Sequence, residues 1–393
     1  MNDPKKYLPN AAIREILRRL KRHEASMVRM LGTFVRSESP SHDKKAVDRF
    51  GKIVATEWRK RGAKVRVFKN LKRGNHLRVE IWLGQGREPK RQIMILGHLD
   101  TVYPLGTLAK MPFRISGGRA WGPGTFDMKG GLVLALFALD ALKAAGIAPA
   151  KKFVFLWTSD EEIGSESSLR AITSEARRSD AVLVLEPSFG RDGRLKTERK
   201  GVGTAEIIVT GRSAHAGVDP EKGVNAVHEL ALQIDRLKKL NNPARGIAVQ
   251  ATVVSGGTVS NVIPNYARAE VDIRFSRATD GPKLDRKLRS LRPISKGAGL
   301  EIRGGTNRPP LERTDAVRAL FLHAQELMGD MGLALGEAST GGGSDGSFTA
   351  ALGVPTLDGL GAVGDFPHGP REHVLIRALP ERAALLAGLL VSL

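Results

Sequence analysis

The groups in this chain that could do chemistry sit in a few short segments, each beside an apolar run. The first is Gly97–Val102, GHLDTV, where His98 closes the run RQIMIL and Asp100 follows two residues later. Residues two apart in an extended segment project from one side. Asp100 could therefore hold one imidazole nitrogen of His98 and leave the other for a metal ion. The plainer reading is a strand-end histidine capped by its neighbour. In the second segment, GPGTFDMKGG, Asp127 lies between Gly122, Gly124, Gly130 and Gly131, at the entrance to an apolar helical stretch. A helix N-cap needs no such company; glycines at this density indicate a backbone that is bent or closely approached around the carboxylate. The third, TSDEEIG, puts Asp160, Glu161 and Glu162 in succession after the run FVFLW. Three adjacent carboxylates repel one another, and a nearby divalent cation offsets that repulsion. Glu186 ends the run AVLVL, and HGPREHV supplies His368 and His373 near the other end of the chain. There is no cysteine, so any metal must be held by His, Asp and Glu. Such a nitrogen and oxygen set suits Zn2+, Co2+ or Mn2+, and one carboxylate can bridge two ions.

Groups so far apart in sequence need a frame that gathers them. Helical spacing of apolar residues predicts helices within 11–31 (Ile13, Ile16, Leu17, Leu20) and 43–60 (Val47, Phe50, Val54, Trp58). Short apolar runs at Lys64–Phe68, Leu77–Leu83, Arg91–Leu96, Lys152–Trp157 and Ala181–Leu185 predict strands, with a long helix from about Gly130 to Ala145 among them. Alternating strands and helices imply an α/β sheet covered on both faces. Near residue 200 the pattern changes. Longer strands at Gly203–Thr210, Ala248–Val254 and Ala267–Phe275, a strand at Leu300–Arg303, and helices at Asn225–Leu240 and Lys283–Arg292 give a βαββαβ order, that of a ferredoxin-like α+β insert. The expectation is a catalytic domain of residues 1–199 and 309–393, interrupted by a second domain of residues 200–308.

Composition limits the choice of function. The chain has 393 residues, is 41% apolar and 26% charged, and has no apolar run of membrane-spanning length, so it reads as a soluble, cytoplasmic protein. Residues 1–24 are basic throughout and lack the apolar core of a secretory signal. The formal net charge is +21, and residues 1–91, with 25 basic and 9 acidic side chains, account for most of it. The cations are spread over amphipathic segments without aromatic interleaving or any nucleic-acid motif, which reads as a solvated basic face that favours anionic substrates. Nucleic-acid and membrane partners are not expected. The segment Gly342–Gly346 also matches G-x-S-x-G, and Ser344 with Asp358 or Asp365 and His368 imitates the order of a serine hydrolase. No buried strand precedes that serine, however. A metal-dependent binding protein without turnover is the other rival, and the spare carboxylate Glu161 speaks against it.

Taken in order, GHLDTV, GPGTFDMKGG, TSDEEIGS, LEPS, GRSAHAG, NVIP, GGGSDG and HGPREHV resemble the co-catalytic di-zinc exopeptidase and deacylase family. That family includes glutamate carboxypeptidase, succinyl-diaminopimelate desuccinylase, acetylornithine deacetylase and aminoacylase; details around TFDMKGG and TSDEEIGS look nearest to the carboxypeptidase branch. The resemblance implies two zinc ions bridged by Asp127, with His98 and Glu186 completing one ligand set and Glu162 and His368 the other. It makes Asp100 the partner of His98, and Glu161 the base that deprotonates a water shared by the metals. His215, in GRSAHAG, would reach the active site of a neighbouring subunit and stabilise the oxyanion, and the inserted domain would serve as lid and dimer contact. The Asp127–Met128 peptide would be cis. The terminal carboxylate of a small peptide or N-acyl amino acid would meet Asn261, Arg274, Arg308 and the loop containing Gly342, Gly343 and Ser344. His373 would line the pocket without ligating metal. The expected reaction is metal-dependent release of a C-terminal, acidic amino acid, with N-acyl-amino-acid deacylation as the alternative.

Overall fold

The computed structural model describes residues 10–393. They form two compact units: residues up to Thr197 with Arg313–Ser339 and Ser344–Leu393, and Glu198–Glu312 with Thr340–Gly343.

The first unit is built on a six-stranded mixed sheet. Its strands are β1 (Lys64–Phe68), β2 (His76–Ile81), β3 (Gln92–His98), β4 (Lys152–Thr158) and β5 (Ser179–Val184). Across the sheet the order is β1-β2-β4-β3-β5, closed by the short strand Thr356–Leu357. β3 is parallel to β4 and β5, whereas β1 and β2 run antiparallel at one edge. β3 and β4 are buried along their whole lengths, as their uninterrupted apolar sequences require of strands covered on both faces. Side chains alternate between those faces: Ile93, Ile95, Phe153, Phe155 and Trp157 join the main core, while Met94, Leu96 and Leu156 pack with Ile172, Val184 and Phe348 on the other side.

The helix Gly130–Ala144 is buried on nearly every side and packs against the C-terminal helix Ala378–Ser392. The helix expected within 11–31 is divided in two, Asn10–Arg22 and Glu24–Val35, because His23 takes φ −99° and ψ 5° outside the helical basin. The sequence pattern hides this break, since apolar residues continue at helical spacing on both sides of it. Among the described residues no helix is long and apolar enough to cross a membrane.

The second unit contains β6 (Gly201–Thr210), β7 (Ala248–Gly256), β8 (Tyr266–Phe275) and β9 (Gly299–Arg308), with helices Ala226–Lys238 and Gly281–Arg289. The sheet order β7-β8-β6-β9 is antiparallel throughout, which is the ferredoxin-like arrangement. Ile207, Val209, Leu230, Val271, Ile273 and Leu284 fill its separate core. β9 runs well beyond the predicted Arg303: the alternating pattern stops at Gly304–Gly305, where no side chains exist to carry it, but the pairing with β6 continues.

Candidate metal centre

Sheet register brings three of the candidate segments together. His98 lies opposite Thr158, and Leu96 opposite Val184, so β3, β4 and β5 release their chains along the same edge. That edge, at the C-terminal ends of parallel strands, is where open α/β sheets place ligands. Asp127 reaches it from the turn Thr125–Lys129, in front of the buried helix. Gly124 holds φ +71° there, the Asp127–Met128 peptide is cis, and a Cβ on Gly131 would meet the Leu185 carbonyl. His368 comes from a loop in which Phe366 and His368 both have φ near 60°. Side chains pay on the order of 1–3 kcal/mol for such a backbone, and residues held this way concentrate at functional sites.

Asp127 divides its two carboxylate oxygens between two imidazole–glutamate pairs. Oδ1 lies 3.2 Å from His98 Nε2, which is 3.4 Å from Glu186 Oε1. Oδ2 lies 3.3 Å from His368 Nε2, which is 3.3 Å from Glu162 Oε2. Four ligands about 2.0–2.1 Å from a tetrahedral zinc stand roughly 3.3–3.4 Å from one another, so these separations are those of ligands around an ion.

Protonation leads to the same conclusion. His98 Nδ1 lies 2.9 Å from the Asp100 carbonyl oxygen, which can only accept, so Nδ1 carries the proton. Nε2 then turns its lone pair toward two carboxylates, and only a further proton or a cation relieves that repulsion. Without metal, protons must do this work. Burial alone would depress His98, but hydrogen bonds to Asp100, Asp127 and Glu186 outweigh it and raise the pKa well above the ordinary 6.5. Hydrogen bonds to Asp127 and Glu162 raise His368 to about 11. Burial and the Asp127 charge push Glu162 up to about 7. Asp127 resists its own burial and falls below the carboxylate range because His368 and His98 flank it. Glu162 Oε1 is buried without a hydrogen-bond partner. The donor set therefore fits two divalent cations sharing Asp127.

Asp100 does partner His98, and the structure adds detail to this expectation and to that for Asp160. The Asp100 carbonyl takes His98 Nδ1, while the nearest carboxylate oxygen of Asp100 is 3.5 Å away. The carboxylate itself accepts the Ser41 hydroxyl at 2.7 Å and the Glu161 and Glu162 amides at 3.3 Å each. Asp100 thus fixes the glutamate pair as well as the histidine. Asp160 takes no part in the acidic cluster, because it accepts the Ser167 amide and hydroxyl at 2.7 and 2.6 Å. Glu161 is buried, and its carboxylate lies in a group with His98 and Glu186 whose ligand atoms are all within 4.8 Å.

The remaining candidates are placed differently. His215 and Asn261 are exposed and adjacent in the second unit, where the Ala216 amide donates to the Asn261 carbonyl. His215 Nδ1 accepts the Gly217 and Val218 amides at 3.1 Å each, so the neutral ring carries its proton on Nε2. Arg274 is engaged by Asp272 and donates to the Gly341 carbonyl at 3.1 Å. Arg308 ends β9, half-buried, paired in register with Val202. Ser344 is fully buried and donates to Asp358 at 2.5 Å. That contact corrects both roles given to Ser344, as a substrate contact and as a nucleophile, and His368 is committed to Asp127 and Glu162. Gly342 and Gly343 offer their carbonyls to Arg199. His373 stacks on Trp121, with ring centroids 4.4 Å apart.

Residues 94–392 match the model of peptidase family M20/M25/M40. The chain belongs to this family. It is 31% identical over 379 residues to carboxypeptidase G2 of Pseudomonas sp. (strain RS-16), covering 94% of this chain and 90% of that one. It is 29% identical over 323 residues to succinyl-diaminopimelate desuccinylase of Dechloromonas aromatica, covering 76% and 82%. The fold matches that of a dinuclear metal-binding peptidase of the M20 family from Bacillus subtilis with a TM-score of 0.68 at 17% identity, covering 94% and 98%. As an M20 member the protein is a metal-dependent hydrolase of amide bonds.

Sequence reasoning missed several polar residues that brace the site. Ser41 secures Asp100. Tyr103 and Glu372 meet beneath the Asp127 turn. Glu372 stands beside His373 in HGPREHV, and a carboxylate two residues before an apolar run gives no sign that backbone amides surround it.

Proposed function

We propose that this M20 hydrolase is a zinc-dependent carboxypeptidase that cleaves an acidic amino acid from the C-terminus of a short peptide or N-acyl precursor. The observation that carries this reading is the division of Asp127 between two imidazole–glutamate pairs, with the additional carboxylate of Glu161 alongside. Two divalent cations, for which zinc suits the donor set, supply Lewis acidity that polarises the amide carbonyl and acidifies the attacking water. His98 and Glu186 would hold one ion, Glu162 and His368 the other, with Asp127 contributing to both. Glu161 takes the proton from the attacking water as oxygen bonds to the carbonyl carbon, then passes it to the departing amine as the C–N bond breaks. Asp100 keeps Glu161 and Glu162 in place through their amides.

The second unit, residues 200–308 in our assignment, acts as lid and dimer contact, with residues 1–199 and 309–393 catalytic. The exposed Nε2–H of His215 would then stabilise the developing oxyanion in a neighbouring copy. Asn261 sits beside it, and Arg274, Arg308 and the Gly342–Gly343 backbone are the groups to receive the terminal carboxylate. The net charge of +21 favours an acidic substrate, and the 31% identity with carboxypeptidase G2 supports the carboxypeptidase reading. A cytoplasmic setting suits a chain without cysteine. The likeness to desuccinylases supports a second reading, removal of a succinyl or related acyl group from an amino acid.

Hydrolysis of N-acyl glutamates and glutamate-terminated dipeptides, set against N-succinyl amino acids, separates the two readings. Chelation should abolish turnover and zinc should restore it. Glu161→Gln should lower kcat by about 10²–10⁴-fold while the purified protein keeps its metal. Turnover that survives complete chelation would overturn the proposal.

A further inference from the structure

Glu372 makes an arrangement that the reaction above does not use. Its side chain is fully buried, and four donors converge on its two oxygens. Oε1 accepts the Phe126 amide at 2.8 Å and the Asp127 amide at 2.9 Å. Oε2 accepts the Gly124 amide at 2.9 Å and the Tyr103 hydroxyl at 2.5 Å. The main chain is tied as well, since the Gly122 amide donates to the Glu372 carbonyl at 3.2 Å. Three segments that each bring a candidate ligand thus meet at one carboxylate. Tyr103 follows His98 on the first, the amides of residues 124, 126 and 127 form the turn that presents Asp127, and Glu372 lies four residues after His368 on the third.

We infer that Glu372, braced by Tyr103, is a positioning residue that holds the Asp127 turn in register with the His368 loop and thereby sets how tightly the paired cations are bound. This inference rests on the metal-centre reading above. Asp127 can serve two ions only if its carboxylate plane is fixed so that one oxygen faces each imidazole. Buried Phe126 and Met128 anchor the turn in the core, but packing of the neighbours does not orient the Asp127 carboxylate itself, and the Gly124, Phe126 and Asp127 amides all donate to Glu372. A carboxylate is suited to the task because each of its oxygens can accept two hydrogen bonds at once. A neutral side chain of the same size keeps part of the arrangement only. Through its carbonyl oxygen a glutamine could still receive Phe126 and Asp127, but its amide group would turn N–H toward the Gly124 N–H.

The test is a titration of the metal-free, folded chain with Zn2+ by calorimetry, joined to the visible spectrum of the Co2+-loaded protein and to kcat and KM. Glu372→Ala should weaken at least one of the two ions by about 10–100-fold, the usual effect of removing a group that orients a ligand. It should also alter the Co2+ spectrum, and lower kcat more than it changes KM. Glu372→Gln should fall between wild type and Glu372→Ala, and Tyr103→Phe should show the smallest loss. A packing role alone would change thermal stability and leave metal affinity and the Co2+ spectrum as in wild type; that result would overturn the inference. Should Glu372→Ala fail to fold, Glu372→Gln with wild-type affinity and spectrum would overturn it equally. A wild-type chain that takes up no cation would defeat both this inference and the function it rests on. Two ions bound with full affinity by both wild type and Glu372→Ala would defeat the inference alone.

Discussion

The ligands on the sheet edge and the Asp127 turn of the first unit contrast with His215 and Asn261 of the second; His368, exposed on its loop, is the intermediate case. In the first, His98, Glu161 and Glu186 are buried, and Asp127 and Glu162 nearly so, on chains leaving a rigid sheet edge or a braced turn. Contacts from distant segments hold them, and Glu162 Oε1 is buried without a hydrogen-bond partner. In the second, His215 and Asn261 are exposed; the His215 ring is bonded only to amides two and three residues on, while the two main-chain segments pair with each other. A buried cluster short of positive charge declares its ligand within a single chain. An exposed donor fixed only in tautomer acquires its role from whatever approaches it. The first unit therefore has the character of a completed site, and the second that of a part awaiting its counterpart.

The sharpest way to break this contrast is to remove the shared ligand. Asp127→Ala should lose both ions and reduce turnover by more than about 10³-fold, because the remaining ligands face each other across an unbridged gap. Metal analysis of the purified variant checks the first claim, and progress curves check the second. Retention of one tightly bound ion would show that the two pairs are independent and that Asp127 does not bridge.

A smaller effect belongs to the second unit. His215→Ala should lower kcat by about 10²–10³-fold, the range for loss of one oxyanion donor. Because the His215 ring is exposed and bonded only to the Gly217 and Val218 amides, metal content and melting temperature should stay near wild type. Asp219 accepts the His215 amide at 3.1 Å, so Asp219→Ala should give a weaker version of the same loss. A fall in metal content on either substitution would erase the difference between the units.

Much of this was legible in the sequence, for identifiable reasons. β3 and β4 announce themselves because strands buried on both faces must be apolar without interruption, and the ferredoxin-like insert because its strands alternate. The candidate metal ligands could be picked out because His98, Glu162 and Glu186 follow such runs within a few residues, Asp127 sits among glycines and His368 stands next to one. What failed to show was whatever depends on orientation. Asp160 and Glu162 have similar side chains two positions apart, yet one turns back to Ser167 and the other faces His368. Ser344 matched a nucleophile pattern while pointing into the interior at Asp358. The break at His23 and the role of Glu372 are invisible for the same reason: each depends on backbone geometry, which side-chain patterns do not record.

The smallest effect separates the units by the sign of their response to pH. In the metal-free protein His368 has its pKa raised from 6.5 to about 11. A histidine raised on folding contributes stability that is complete below its unfolded pKa and is lost as pH climbs through the folded one. His98 is raised as well and acts in the same direction. In the second unit, burial of Glu229 is outweighed by hydrogen bonds from Gln233 and from the Ile294 and Ser295 amides, and its pKa is lowered from 4.5. Its contribution is present above that ordinary value and is lost as pH falls through the lowered one. Between about pH 7 and pH 9 the metal-free first unit should therefore lose stability while the contribution of Glu229 stays constant. Zinc should stabilise the first unit increasingly over the same interval, since ligation requires the unprotonated imidazoles. Calorimetric melting with and without zinc, repeated on Glu229→Gln, tests this: the substitution should remove an acid-side step belonging to the second unit, and zinc should remove the alkaline decline of the first. If zinc shifts the step that Glu229→Gln removes, the two units do not titrate independently and the contrast drawn between them is false.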